Sequence, residues 1–321
     1  VVEPFRLFDV QVRGLELLSP SFLRVTFTGE DLDLFADNGY DQRIKLIFPL
    51  PGHGLTQFPT GPDWFQRWRA LPQDRCNPMR TYTVRNVRPD LREVDVDVVL
   101  HGDGGPAARW AGAVRPGDEI GLFGPDARYG EPHGGLEFHP PEGTGAILMA
   151  GDETAAPAIC ATLERLPAGT RGEALIEVPH AGDFLPIDSP SEVTVTWLAR
   201  EGGDHGEKLI PAVEAAAGRL LPGHKPAGSF EDSDVEDSDV EDSDVEDSDV
   251  EDSDFVDIDV DVDELWEVPD EQAEGPVYAW LAGEAAMIRA LRRHLVAERG
   301  MDKRAVAFMG YWRMGRAENN A

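Results

Sequence analysis

Apolar positions follow two rhythms along the chain. As far as Pro125 they recur in short alternating runs, of which Val94-Asp95-Val96-Asp97-Val98 is the cleanest. A period of two is that of an antiparallel strand with one face buried. Comparable runs occupy 10–25 with Phe27, 45–48, 80–85, 93–100 and 120–123, separated by turn signals such as Pro116-Gly117-Asp118-Glu119. Many short strands with a single short helix predict a six-stranded antiparallel β-barrel. After the Gly- and Pro-rich stretch 124–145 the rhythm changes. Strand-sized apolar runs at 146–150, 173–178, 194–198, 277–281 and 305–309 alternate with helical patterns at 155–166, 208–221 and 284–299. Strand–helix alternation predicts an α/β domain with a parallel sheet. The fold class expected is therefore two-domain, β plus α/β, with a barrel over 1–126 and an α/β domain over 143–321.

The second domain is interrupted. Residues 231–254 repeat Glu-Asp-Ser-Asp-Val four times and then Glu-Asp-Ser-Asp, ending before Phe255. A period of five suits neither helix nor strand, and the charge density opposes collapse, so 226–270 is expected to be a disordered insertion. No glycine turn or twelfth-position Glu completes a calcium-binding EF-hand loop. Whether the apolar alternation of 255–262 adds an edge strand stays open. Residues 231–270 hold 22 acidic and no basic residues, so the rest of the chain carries only −10 of the net −32. That balance argues against nucleic acid or an anionic membrane surface as partner. No run reaches the length of a membrane span, and no basic segment followed by an apolar one opens the sequence, so a cytoplasmic protein is expected. Cys76 and Cys160 lie in different expected domains and build no disulfide framework, which fits a reducing compartment. There is no C-x-x-C, H-E-x-x-H or G-x-S-x-G, so neither a zinc site, a serine hydrolase nor an iron–sulfur centre is expected.

Two neighbouring segments carry chemistry. Arg80-Thr81-Tyr82-Thr83-Val84-Arg85 reads as a strand with Arg80, Tyr82 and Val84 on one face. His101-Gly102-Asp103-Gly104-Gly105-Pro106-Ala107-Ala108-Arg109-Trp110 is a Gly-rich turn entering a helix. A guanidinium beside a helix start suits a pyrophosphate, and a tyrosine and threonine offer an aromatic face and a hydroxyl to a flat heterocycle. These are the parts a flavin dinucleotide requires. In the second domain, Gly151-Asp152-Glu153-Thr154 stands where a strand hands over to a helix, the crevice where α/β sheets bind ligands. Ala282-Gly283-Glu284 has the same position on a later strand. The alternatives are helix capping by Asp152 or Thr154, and a first-turn acid at Glu284.

Arg80-Thr81-Tyr82-Thr83, together with Gly151-Asp152-Glu153-Thr154-Ala155-Ala156-Pro157-Ala158-Ile159 and Gly310-Tyr311-Trp312-Arg313, resembles the siderophore-interacting protein family. These are FAD-dependent ferric-siderophore reductases of the ferredoxin–NADP reductase superfamily. The resemblance runs from about Phe5 to Glu318 and leaves out the acidic insertion. It implies that Arg80 binds an FAD phosphate, Tyr82 packs on the isoalloxazine and Thr83 lies near flavin N5, with Thr81 in the same strand. His101, Gly102, Gly104, Gly105, Pro106 and Ala107 would set backbone against the ribityl–pyrophosphate, glycine permitting the close approach; His101 either touches FAD or simply ends a strand. Gly151, Thr154 and Pro157 stand where the superfamily has its nicotinamide loop. Asp152 and Glu153 replace glycines there and would face the flavin edge or the nicotinamide, while Gly283 and Glu284 would flank that pocket. Arg200 could hold a 2′-phosphate, whereas Glu177 and Asp183 oppose one, so the donor is NADH or NADPH, with the acids tilting toward NADH. Trp312 either stacks on the flavin or anchors the tail. A ferric siderophore is bulky and often anionic, so a basic mouth is expected, made of Lys45, Arg128 and Arg313 with Arg316 in reserve. No acid or base is strictly required, because the flavin carries the redox chemistry. Two further readings are a ferredoxin-linked reductase of the same fold and a non-catalytic siderophore-binding protein.

Overall fold

A computed structural model of the protein describes residues 2–56, 58–61, 63–100, 105–221, 266–269 and 275–315. Strands β1 (Phe5–Ser19) and β2 (Phe22–Thr28) form a long hairpin that buries Phe8, Val10, Val12, Val25 and Phe27 on one face. There follow β3 (Arg43–Ile47), helix α1 (Trp64–Arg69), β4 (Met79–Thr83), β5 (Asn86–Arg88), β6 (Glu93–Val99), helix α2 (Pro106–Ala111) and β7 (Glu119–Pro125). All pairings are antiparallel, in the order β4-β3-β7-β1-β2-β6-β5.

The sheet thus counts seven strands where the pattern predicts six. The run 79–88 breaks at Val84 and Arg85, so β4 pairs with β3 while β5 pairs with β6. Val84 turns into the core at the break, and the Arg85 amide donates to the Asp95 carbonyl. The aliphatic and aromatic side chains of β1, β2, β3, β6 and β7 fill the interior. Trp110 of α2 closes one end, stacked on Phe27 and edge-on to Phe48. Helix α1 has no counterpart among the expected elements. It is held by Trp68, which is buried in a satellite cluster with Ile47, Phe58 and Met79 and donates its indole N–H to the Asn77 carbonyl.

The second domain contains β8 (Ala146–Gly151), α3 (Ala156–Leu163), β9 (Arg171–Val178), β10 (Glu192–Ala199), α4 (Leu209–Leu220), β11 (Trp266–Glu267), β12 (Val277–Glu284), α5 (Ala285–Arg292) and β13 (Val306–Trp312). Helix α5 runs on into a π-helical turn, Arg293–Glu298. The sheet order is β10-β9-β8-β12-β13-β11, with α4 and α5 packed over one face and α3 over the other. Five strands are parallel, but β11 lies antiparallel to β13, so the sheet is mixed and not the parallel one expected. Two residues display no period. Trp266 is held instead by stacking on Tyr311, and Glu267 by an ion pair with Arg292 at 2.7 Å. The acidic repeat and the segment 255–262 lie outside the described residues.

The two sheets share a buried seam. Phe22 and Phe138 pack into the core beneath α3. The Trp280 indole donates to Asp41 at 3.0 Å, Ser19 and Ser21 donate to Asp183 at 2.7 and 2.9 Å, and Arg85 forks onto Glu164 of the turn after α3 with two 2.6 Å bonds. Among the described residues no helix is long and apolar enough to cross a membrane.

Candidate functional site

The register of β3 against β4 sets Lys45 opposite Thr81, Arg43 opposite Thr83, Ile44 opposite Tyr82 and Leu46 opposite Arg80. Because strand side chains alternate, Ile44, Leu46 and Tyr82 share the face that packs on the barrel core. Lys45, Arg43 and Thr81 look the other way. Arg80 and Tyr82 are only partly buried, so each keeps surface for a ligand, while Thr83 is buried. The Lys45 Nζ donates to the Thr81 hydroxyl at 2.9 Å. These two residues, with Arg43, Phe5, Phe123 and Gly135, line a cleft of about 170 Å³. Gly135 has a left-handed backbone (φ +72°), and a Cβ there would meet the Gln42 amide at 2.8 Å. Gly105 is extended, Pro106 takes the first helical position of α2 and Ala107 packs on the barrel core. His101, Gly102 and Gly104 lie outside the described residues.

In the second domain the carboxyl ends of β8, β12 and β13 meet. Gly151 pairs with Ala282, and a Cβ on it would come within 2.5 Å of both the Ala282 carbonyl and the Ala155 side chain. Asp152, fully buried, accepts four hydrogen bonds. Thr154 gives its amide (2.9 Å) and hydroxyl (2.5 Å) to Oδ1, and the Glu284 amide and Trp312 indole each reach Oδ2 at 2.8 Å. Burial, reinforced by the adjacent Glu153, pushes its carboxyl up to about 6. Gly283 has φ +148° and lies so close that a Cβ would stand 2.7 Å from Asp152 Oδ2. Glu284 caps α5, accepting from the Met287 amide at 3.0 Å, and takes the Met314 amide on its other oxygen at 3.2 Å.

Three sequence readings change here. Arg200, considered for a 2′-phosphate, is buried and forked onto Glu153 with two 2.7 Å bonds, and Glu177 stands 3.4 Å away. A guanidinium so paired is neutralised in place. Glu177 also accepts from the Gly206, Lys208 and Leu209 amides at the start of α4, and Asp183 is taken up by the domain seam. Asp152 and Glu153 turn inward, and Asp152 holds the turn before α3 through Thr154, while α3 itself starts at an N-cap, Ala155, that makes no side-chain cap bond. Asp152, Glu153 and His205 each bring one ligand atom within 4.8 Å of the others, but protein donors already occupy the carboxylate oxygens of Asp152 and Glu153.

The basic residues divide. The Arg43 guanidinium, paired with Glu137, lies 4.5 Å over the Trp266 ring, and Trp266 stacks on Tyr311 at 5.8 Å. The cationic edge of β3, with Lys45, is thereby joined to the strand end that carries Trp312 and Arg313. Arg128 stands apart. It forks onto Asp126 in its own turn at 2.5 Å and does not line the cleft. Arg316 lies outside the described residues. Arg43 and Trp266 escape the sequence reading. Arg43 had a signal, two residues before Lys45 on the same strand face; Trp266 had none.

An antiparallel sheet carrying an Arg-x-Tyr-Thr strand, packed against an α/β sheet with a strand-end crevice, defines the ferredoxin-reductase-like fold. The ferredoxin reductase of carbazole 1,9a-dioxygenase shares that fold, with a TM-score of 0.55 at 14% identity over 97% of this chain and 71% of that one. The chain belongs to the siderophore-interacting protein family: residues 11–129 match its siderophore-interacting FAD-binding domain and residues 144–315 the siderophore-interacting protein model. It is 33% identical to an uncharacterized protein of Mycobacterium tuberculosis, covering 98% of this chain and 92% of that one. With the ferric vibriobactin reductase ViuB of Vibrio cholerae it shares 36% identity over 61% of this chain and 68% of that protein. An NADPH-dependent ferric-chelate reductase of Escherichia coli is 32% identical over 64% and 75%. Among solved structures, a siderophore utilization protein from T. fusca aligns over 99% of this chain and 97% of that one, with a TM-score of 0.65 and 25% identity.

Proposed function

We propose that this chain is a cytoplasmic flavin-dependent reductase of Fe(III)–siderophore complexes, with FAD carried by a barrel domain over 1–126 and NAD(P)H by the α/β domain over 143–321. The observation that carries the reading is the juxtaposition at β3 and β4. Lys45 and Arg43 share a face with Thr81 and Thr83, the residues that alternate along β4 with the partly exposed Arg80 and Tyr82, and the Arg43–Trp266–Tyr311 stack joins that edge to the tail of β13. The donor set fits FAD: a guanidinium for a phosphate, an aromatic ring for a flat heterocycle, and the glycine-led start of α2 for close backbone approach. Bound there, FAD would supply two-electron acceptance from a nicotinamide and one-electron delivery to iron, so that two ferric chelates would be reduced per NAD(P)H.

The chain's own residues bind and orient. Arg80 holds the pyrophosphate, Tyr82 and Thr83 hold the ring system with Thr81 beside them, and Gly105, Pro106 and Ala107 support the ribityl–phosphate, together with His101, Gly102 and Gly104. Gly151, Thr154, Gly283 and Glu284 shape the nicotinamide crevice, braced from within by the buried Asp152; the two glycines let the strand ends and the start of α3 pack closely where a Cβ would collide. Lys45 and Arg313 draw in an anionic chelate, with Arg43 and Arg128, each paired with a carboxylate, offering hydrogen-bond donors at the margin. Trp312 anchors the tail. With Arg200 neutralised, no arginine is offered to a 2′-phosphate at that position, which favours NADH, although the Escherichia coli relative is NADPH-dependent by name.

The test is the anaerobic visible spectrum of the purified protein before and after NADH or NADPH, and then after an Fe(III) siderophore. A flavin spectrum that bleaches with the nicotinamide and returns with the chelate is expected. Arg80→Ala should strip the flavin, with roughly 10- to 100-fold weaker FAD binding for one lost charge-assisted contact. A colourless wild-type protein that is folded would overturn the reading in favour of a binding protein.

A further inference from the structure

We propose that Asp152 is a positioning residue for chelate reduction: through the Trp312 indole it fixes the strand-end segment that presents Arg313 to the substrate. The inference rests on the function proposed above, and in particular on Arg313 as a chelate contact.

The geometry begins with a slip in the β12–β13 ladder. Gly283 pairs with Gly310, but the next residue, Glu284, pairs with Trp312, so Tyr311 is the extra residue of a bulge. Bulges bend the strand and re-aim the residues beyond them. Arg313 comes immediately after, beyond the last ladder pair, where sheet hydrogen bonds no longer set its direction. Two buried carboxylates hold the residues on either side of it. On its N-terminal side the Trp312 indole donates to Asp152 at 2.8 Å, and on its C-terminal side the Met314 amide donates to Glu284 at 3.2 Å. The same Asp152 oxygen receives the Glu284 amide at 2.8 Å, so a single side chain ties together the ends of β8, β12 and β13.

The anchor is stiff for physical reasons. Asp152 is fully buried, and its Oδ1 is held by the Thr154 amide and hydroxyl while Oδ2 serves the indole. Neighbouring Glu153 is occupied by Arg200, which keeps that guanidinium from competing with the indole for Asp152. The Trp312 ring also meets His205 in a T-shaped contact at 4.9 Å. An indole held by a carboxylate and an imidazole cannot change rotamer without breaking one contact, and the backbone of Arg313 is fixed with it.

Asp152→Asn tests this, because an amide presents N–H groups to one of the two donor pairs and cannot accept all four bonds. The assay is steady-state reduction of an anionic Fe(III) tris-catecholate, with a neutral Fe(III) tris-hydroxamate as comparison. Asp152→Asn and Arg313→Ala should each raise KM for the anionic chelate roughly 5- to 30-fold, with a far smaller change for the neutral one. The double variant should match Arg313→Ala alone, since a positioning residue has nothing left to position. Trp312→Phe, which removes only the N–H and part of the ring, gives the same cycle if Asp152→Asn folds poorly. Additive effects of Asp152 and Arg313, or an equal loss on both chelates, would overturn the positioning role while leaving Arg313 as a contact. An Arg313→Ala variant with unchanged KM for the anionic chelate would overturn the substrate site itself, and the inference with it.

Discussion

Replacing Lys45 by alanine isolates the electrostatic part of substrate capture. The ammonium sits on β3 at the rim of a cleft walled by Phe5 and Phe123 and is oriented by its bond to Thr81. A chelate oxygen reaching about 4 Å from it would interact by about 1 kcal/mol in bulk water and about 4 kcal/mol at an effective dielectric of about 20. Lys45 is partly buried, so the working value lies nearer the lower end, about 1–2 kcal/mol. That corresponds to a loss of roughly 5- to 30-fold in kcat/KM for anionic Fe(III) chelates. The assay is chelate reduction followed with a ferrous-specific dye at low salt and again near 1 M salt. The Debye length shrinks from about 10 Å at 0.1 M to about 3 Å at 1 M, so the difference between wild type and variant should narrow. The FAD content of the purified variant should match wild type, because Arg80 and Tyr82 keep their places on β4 and Thr81 loses only a neighbouring donor. Unchanged kcat/KM for several anionic chelates at low salt would refute the placement of the substrate mouth.

Arg85→Ala should loosen the domain seam. The guanidinium is buried and forked onto Glu164, with Asp97 at 3.5 Å. Asp97 keeps Arg24 and Glu164 retains some exposure, so the loss should fall below the 3–5 kcal/mol typical of a broken buried pair, at about 2 kcal/mol by urea unfolding; a change under about 0.5 kcal/mol would class it with surface pairs. Asp152 should mark the pH dependence of stability. Its carboxyl is raised from 3.8 to about 6, so across that window the native state holds a proton that the unfolded chain has released. Its contribution therefore falls as pH rises through the window, and wild type should lose stability there relative to Asp152→Asn; parallel curves would contradict the raised value.

Local pattern determined a large part of this protein. The strict alternation at 93–99, the turn at Pro116–Glu119 and the apolar runs of β8, β12 and β13 are short-range features, and period and turn chemistry suffice to place them. Helix α4, Leu209–Leu220, falls within a residue of its expected bounds at each end because its apolar face repeats over three turns. The Arg80–Thr83 and Gly151–Thr154 motifs could likewise be read directly, being contiguous. What the sequence leaves undetermined is anything set by a partner distant along the chain. Arg200 reads as a free cation until folding brings Glu153 and Glu177 against it, and Asp152 reads as a ligand contact until Trp312, 160 residues later, donates to it. The break of one run into β4 and β5, and the two-residue strand at Trp266, also have no local signature, since each is fixed by cross-chain pairing and stacking. A charge's role depends on what neutralises it, and only the tertiary structure decides that neighbour.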